Sequence, residues 1–372
     1  MFNKVYSGKK VLVTGHTGFK GSWMSQWLLN LGAEVYGISL DPDSEINLYD
    51  QLQLSEKLTE DHRIDIRNKH QVKSLIESIK PDFLFHMAAQ SLVRLSYNQP
   101  IETYEVNVMG TAHLLESLRT LEKINHKCVA VFITTDKSYE NKEWLYSYRE
   151  NDPIGGYDPY SSSKGCAELL IASYRRSYFS NSKYIKLASA RAGNVIGGGD
   201  WALDRIVPDC IRAYQKNVSI VVRNKQATRP WQHVLEPISG YLWLAACIVN
   251  YSLKPKDSET ELLSAFNFGP ELSSNRSVCA LTTEIVRYLG NTWIDNSRPE
   301  AIHEASKLNL AIDKAFHLLD WQPVWGFEET IEKTATWYVE VHQKIIHPME
   351  KTLEQIAEYQ SAAQLKSIKW AS

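Results

Sequence analysis

A glycine triplet, Gly15-x-x-Gly18-x-x-Gly21, separates a short apolar run, residues 10–13, from a segment, 18–31, with apolar residues at helical spacing. No other feature constrains the fold as tightly. A strand that turns directly into a helix needs glycine for unusual backbone angles and for close approach of another group. The helix that follows aims free N–H groups and a partial positive charge at whatever fills the turn. A dinucleotide pyrophosphate fits that description. A plain tight turn explains three glycines, but not the strand before them, the helix after them and their place at the N-terminus.

Downstream, the two kinds of segment keep alternating. Residues 34–40, the segment ending Arg63-Ile-Asp65, 83–87, 129–134 and 184–190 read as strands; 69–80, 101–121 and 159–179 read as helices, with Val72, Leu75, Ile76 and Ile79 on one stripe. Such alternation predicts a parallel sheet wrapped on both faces. The expected class is α/β, a Rossmann-type doubly wound parallel sheet with a smaller mixed α/β substrate-binding C-terminal domain. Residues 1–195 form the first lobe, with 230–270 (helical at 235–249, strand-like at 265–269) returning to it; 196–229 and 271–372 form the second. The end, 349–372, reads as a polar helical tail.

Composition excludes several classes. Net charge is −2, so nothing favours nucleic acid or a membrane surface. The best apolar run, 240–249, is half of what a spanning helix needs. Cys128, Cys166, Cys210, Cys247 and Cys279 are an odd, scattered set without Cys-x-x-Cys, so free thiols and a cytoplasmic setting are expected. His16, His86 and His233 lack metal-ligand spacing, and no metal is expected.

The chemistry concentrates in two stretches. Tyr160-Ser-Ser-Ser-Lys164 places a phenol and an amine one helical turn apart. A nearby ammonium makes the phenolate accessible, so Tyr160 can take a hydroxyl proton. Alone, such a pair is more often a surface or packing pair. Thr134-Thr135-Asp136-Lys137 changes the balance, because it ends a strand where open parallel sheets place ligands. Thr135 can share the hydroxyl with Tyr160, while Asp136 and Lys137 can give and take a further proton. For the adenosine ribose, Asp41 lies 20 residues past Gly21, with Ser39 as the competing position. No Lys or Arg occurs between Glu34 and Glu56, which favours NAD over NADP, although Lys20 keeps NADP open.

On these residues the chain resembles the extended short-chain dehydrogenase/reductase family. The markers are Thr14-Gly15-x-x-Gly18-x-x-Gly21, His86-Met-Ala-Ala89, Asn107-Val-Met-Gly-Thr111 and Tyr160-x-x-x-Lys164. Within it the chain looks like the nucleotide-sugar 4,6-dehydratases, which carry Thr-Asp-Glu or Thr-Asp-Lys at this strand end. The lysine version, with Gly193-Asn-Val-Ile-Gly-Gly-Gly-Asp-Trp201 and Ala227-Thr-Arg-Pro-Trp-Gln-His-Val234, resembles the branch acting on CDP-glucose.

The resemblance implies NAD held by Gly15, Thr17, Gly18, Phe19, Lys20 and Gly21, with Asp41, Asp65 and Ile66 at the adenosine end. Ala88, Ala89, Gln90, Asn107, Thr134, Tyr160 and Lys164 complete the cofactor set. It implies a lyase with Thr135, Asp136, Lys137, Tyr160 and Lys164 as catalytic residues, serving deoxysugar and O-antigen precursor synthesis. Gln90 and Asn194 are expected on the substrate; Arg205 and Arg229 are candidates for its diphosphate, with a surface salt bridge as the competing role, and Trp201, Trp231 and His233 are candidates for which packing is the competing role. A homodimer or homotetramer, paired through the helices 101–121 and 159–179, is expected. The rival readings are an epimerase or reductase on this scaffold and a non-catalytic NAD-binding regulator.

Overall fold

The alternating segments assemble into one central sheet. The computed structural model describes residues 1–251, 259–297 and 307–372; 252–258 and 298–306, within the stretches assigned to the first and second lobes, lie outside the described residues. Strands β1 (Lys10–Thr14), β2 (Glu34–Ser39), β3 (Glu60–Arg63), β4 (Phe83–His86), β5 (Cys128–Thr135), β6 (Ile185–Ala192) and β7 (Ala265–Phe268) are all parallel, in the order β7-β6-β5-β4-β1-β2-β3. The chain turns one way from β1 to β2 and the other way to β4. A crevice therefore opens beyond the carboxyl ends of β1 and β4, where Thr14 pairs with His86.

Both sheet faces are covered, which is why β5 is buried at every position. Successive side chains of a strand point to opposite faces. Leu12, Leu84 and Phe132 thus meet α2 (Lys69–Ile79), α3 (Thr111–Lys123) and α4 (Pro159–Ser177) through Ile76, Leu118 and Ile171. Val11, Val13 and Val131 meet α1 (Phe19–Asn30) and α5 (Leu235–Tyr251) through Trp23, Trp27 and Leu242.

Two elements add detail to the sequence pattern. The helix expected over 101–121 is present and carries a π turn within it: Pro100–Tyr104 is α-helical, Glu105–Gly110 is the π turn, and α3 follows without a break. Gly110 permits this, because a Cβ there would lie 2.5 Å from Ile66 Cδ1. The end of the chain is no solvated tail. α6 (Phe327–His342) is followed by α7 (Pro348–Leu365), whose Ile356, Tyr359 and Ala363 form a buried stripe. Trp370 stacks on Phe2 at 5.0 Å, and the Tyr359 hydroxyl donates to Glu236 Oε2 at 2.7 Å. Burying each such aromatic contributes on the order of 2–3 kcal/mol.

Candidate active site

The glycine turn is as tight as its composition requires. Gly15 has φ of +76°, and a Cβ on it would lie 2.8 Å from Ala88 N; one on Gly21 would lie 2.0 Å from Gly15 O. Gly18 caps α1 without a side-chain hydrogen bond, so the first N–H groups of the helix face the crevice. This cradle fits a dinucleotide pyrophosphate. Thr17 Oγ1 bonds Ser39 Oγ at 2.7 Å and Leu40 O at 3.0 Å, tying the turn to the end of β2.

At the adenosine end the cation that β2 lacks comes from β3. Arg63 Nε donates to the exposed Asp41 at 2.8 Å, and its guanidinium also pairs with Asp61. Two carboxylates thus flank the one guanidinium, which keeps this corner suited to a ribose diol rather than a 2′-phosphate. Asp61 further holds His16, at 2.7 Å, and the Tyr49 hydroxyl. Asp65 spends its carboxylate on Arg67, and Ile66 packs beneath Gly110. Lys20 does not reach this corner. Its half-buried amine lies 5.7 Å from the Tyr241 ring centre; burial, with Arg205 and Lys164 nearby, lowers its pKa to about 8. The sequence reading of Lys20 as a cation for a 2′-phosphate is therefore corrected: it belongs to the catalytic pocket.

α4 begins where it does because Asp158 caps Ser161 N at 2.9 Å and Pro159 occupies the first turn. That start places Tyr160 and Lys164 over the end of β5. Burial pushes the Tyr160 phenol up to about 12; a hydrogen bond with Thr135 and the charge of Arg205 oppose the rise. Burial lowers the Lys164 amine to about 8, with Glu168 opposing. Asp136, 2% exposed, is raised by burial, against the pull of Lys137, Thr135 and Arg229. Its Oδ1 accepts from Thr135 Oγ1 at 2.9 Å, and its Oδ2 has no partner among the described residues. A Cβ on Gly193 would sit 2.9 Å from that oxygen. Lys137 is half-buried at the same strand end.

The surroundings hold this group in place, and sequence reasoning missed several members. Glu168, one turn beyond Lys164, pairs with Arg191 at 2.9 Å and accepts from Ser189 and Thr134. Thr134 therefore faces α4 rather than the cofactor cleft. Asn107, on the π turn, donates to Gln90 O at 3.0 Å and to Ser163 Oγ at 2.9 Å, joining the end of β4 to α4. The Gln90 amide is itself spent on Leu92 O and Thr103, so its backbone rather than its side chain borders the cleft. The i+4, i+8 spacing of Lys164 and Glu168 from Tyr160 was the available signal for Glu168; no local signal marks Arg191.

On the substrate side, half-buried Asn194 follows Gly193, and Arg229 lies close enough to Asp136 to favour its charged form. Arg205 pairs with Asp200 at 3.0 Å and reaches Ser91 at 3.2 Å while facing Tyr160. Trp201 packs edge-on to Tyr338. Trp231 is buried and donates to Arg276 O at 2.9 Å. His233 is wholly buried between Trp23 and Trp325. Neither of the last two presents surface to a ligand, so packing is the role the structure gives them. Gly197–Gly199 likewise meet protein: a Cβ on Gly198 would lie 2.1 Å from the Trp337 ring.

Compared with known proteins, residues 12–334 match the model of the family described as GDP-mannose 4,6 dehydratase. A CDP-glucose 4,6-dehydratase of Salmonella typhimurium is 46% identical over 339 residues, covering 90% of this chain and 91% of its own. Among solved structures, an epimerase from Methanothermobacter thermautotrophicus superposes with a TM-score of 0.75 at 22% identity, covering 92% of this chain and 96% of its own. A dTDP-glucose 4,6-dehydratase from Bacillus anthracis, solved in complex with NAD, gives 0.70 at 20% identity, covering 90% and 98%. At those identities the two structures speak for the fold alone.

Proposed function

This chain belongs to the GDP-mannose 4,6-dehydratase family, and from that membership we propose that it converts CDP-glucose to CDP-4-keto-6-deoxyglucose and water. The observation that carries the reading is the set Thr135, Asp136 and Lys137 at the end of β5 beside Tyr160 and Lys164. An epimerase or reductase needs the phenol and the amine but has no use for a buried acid beside them. The 46% identity over nearly the whole length supports the choice of nucleotide.

NAD, when bound on the glycine cradle, supplies a reversible hydride store, so the reaction has no net redox change. Tyr160 takes the proton of the 4-hydroxyl, which Thr135 also holds. Positive charge from Arg205 assists, because burial otherwise keeps the phenol protonated. The 4-ketone acidifies the C5 hydrogen, which Lys137 removes and later returns. Asp136, whose pKa burial raises and so favours the protonated form this role needs, gives its proton to the C6 oxygen, and the C6–O bond breaks to release water. Asn194, Arg205 and Arg229 would hold the diphosphate in this reading.

Purified protein incubated with CDP-glucose and no added reductant is expected to yield a product lighter by one water, with deuterium from C4 recovered at C6. Unchanged substrate, or an isomer of equal mass, would overturn the reading.

The finer points of setting belong to the same proposal. Free cysteines fit the cytoplasm, and no described helix is long and apolar enough to cross a membrane. Exposed Ile101, Met109 and Leu169, on the turn of helix before the π turn, within the π turn and on α4, suit a homodimer or homotetramer paired there. Light scattering at the monomer mass would refute that assembly.

A further inference from the structure

α4 carries the phenol of the proposed reaction in its first turn, where a helix leaves its N–H groups without intrahelical acceptors. Pro159 has no N–H to satisfy. Ser161 N donates to Asp158 Oδ1 and Ser162 N to Asp158 O, each at 2.9 Å. The Tyr160 N–H is held differently. It donates at 3.1 Å to the hydroxyl of Ser96, 64 positions earlier in the chain.

Ser96 is wholly buried and belongs to the short helix Val93–Asn98, beyond the end of β4. Its hydroxyl donates to Val93 O at 2.6 Å, which leaves a lone pair for Tyr160 N. The short helix is itself pinned. Gln90 Oε1 accepts from Leu92 N at 2.6 Å, and Gln90 N donates to Asn107 Oδ1 at 2.9 Å. The carbonyl of Tyr160 leads to the same asparagine. Ser163 Oγ donates to Tyr160 O at 2.7 Å and accepts from Asn107 Nδ2 at 2.9 Å. The backbone of Tyr160 is thus gripped at its N–H and at its C=O, and both grips lead back to Asn107 on the π turn.

We propose that Ser96 is a positioning residue for the reaction: by accepting from Tyr160 N it fixes the backbone from which the phenol is aimed at the 4-hydroxyl. This rests on the reading of Tyr160 as the group that takes that proton. Ser96 acts through Tyr160 and not on the sugar. The spacing of Tyr160 and Lys164 puts both on one face of α4, but spacing does not say where that face points. Asp158 directly precedes α4 and moves with it. Ser96 comes from another element, so its bond fixes the first turn of α4 against the end of β4. The phenol oxygen lies at the far end of a long side chain, so a small tilt of the backbone becomes a larger displacement there. A misplacement of about 1 Å costs on the order of a hundredfold in rate.

Ser96→Ala removes the acceptor, and Ser96→Thr keeps it. In a single turnover with CDP-glucose, the alanine variant is expected to reduce its nicotinamide on the order of ten- to a hundredfold more slowly per NAD-loaded site. KM for CDP-glucose and the affinity for NAD should stay within about threefold, because neither depends on the aim of the phenol. Hydrogen exchange, read by mass spectrometry with residue-level fragmentation, should find the Tyr160 amide slow in wild type and about tenfold faster in Ser96→Ala, with the Lys164 and Glu168 amides still protected. Ser96→Thr should restore both the rate and the slow exchange. A merely structural role would lower the number of folded, loaded sites and leave the rate per site unchanged. A rate per site within about twofold of wild type, threonine no better than alanine, or a Tyr160 amide that already exchanges fast in wild type would overturn the assignment. The wild-type exchange decides alone if Ser96→Ala does not fold. If wild type neither reduces its nicotinamide nor releases water with CDP-glucose, the dehydratase reading is what fails, and exchange at Tyr160 still tests the bond.

Discussion

Arg191→Met tests whether the ion pair beneath α4 is what holds the catalytic helix. Arg191 and Glu168 side chains are 5% and 4% exposed and lie 2.9 Å apart. Arg191 also donates to the Tyr139 hydroxyl at 2.7 Å and to Glu150 O at 3.0 Å. At that separation, and an effective dielectric near 20, the attraction is about 6 kcal/mol, part of which repays the burial of both charges. Removing one partner leaves the other charge stranded, at a cost of about 3–5 kcal/mol. The Glu168 carboxyl, now held below its ordinary pKa chiefly by Arg191 against the opposing effect of burial, should rise once that guanidinium is gone. A depressed carboxyl contributes stability above its unfolded pKa and loses it as pH falls through the folded value. The variant should therefore lose that acid-side dependence. Lys164 should also fall further below about 8, because Glu168 is the charge that holds it up. Urea melts from pH 4 to 8 read the stability, and the basic limb of kcat against pH reads Lys164. Glu168→Leu with Arg191→Met should recover most of the stability but not the activity. A single-variant loss below about 1 kcal/mol would refute the argument, since that is the range of exposed pairs.

Three further outcomes are expected. Lys137→Gln should still form the 4-keto sugar but stall before water is lost; full turnover would remove Lys137 from the C5 step. Glu236, buried and raised to about 7, should cost stability as pH climbs from its unfolded value, on the order of 3 kcal/mol between about pH 4.5 and 7. Thermal melts of wild type should decline relative to Glu236→Gln across that window, and parallel curves would show that Glu236 does not titrate there. Tyr241→Phe removes a wholly buried hydroxyl that has no partner among the described residues, so stability should hold or rise by about 1 kcal/mol; a drop of that size by denaturant melts would mean that the hydroxyl is bonded after all.

Most of the parallel sheet and the five candidate catalytic residues were legible from short-range pattern. Gly15, Gly18 and Gly21 mark a turn that few other residues can make. Tyr160 and Lys164 share a helix face by spacing alone, and Thr135-Asp136-Lys137 follows directly on an apolar strand. Each of these depends on neighbours within a few positions, where backbone geometry leaves little choice. The helix over 101–121 was legible but its π turn was not, because such a turn leaves the apolar spacing nearly unchanged; Asn107, on that turn, bonds Gln90 and Ser163.

Local pattern marked the candidate catalytic residues, because strand, turn and helix are set by contacts a few residues apart. Tertiary contact decided what those residues face. Lys20 turns into the catalytic pocket and Arg63 to the adenosine end, Glu168 finds Arg191 across the sheet, and Trp370 closes on Phe2 from the far end of the chain. The physical reason is that a buried charge or ring takes whichever partner lowers its desolvation cost, and that partner is chosen by the packing of the whole chain rather than by its neighbours in sequence.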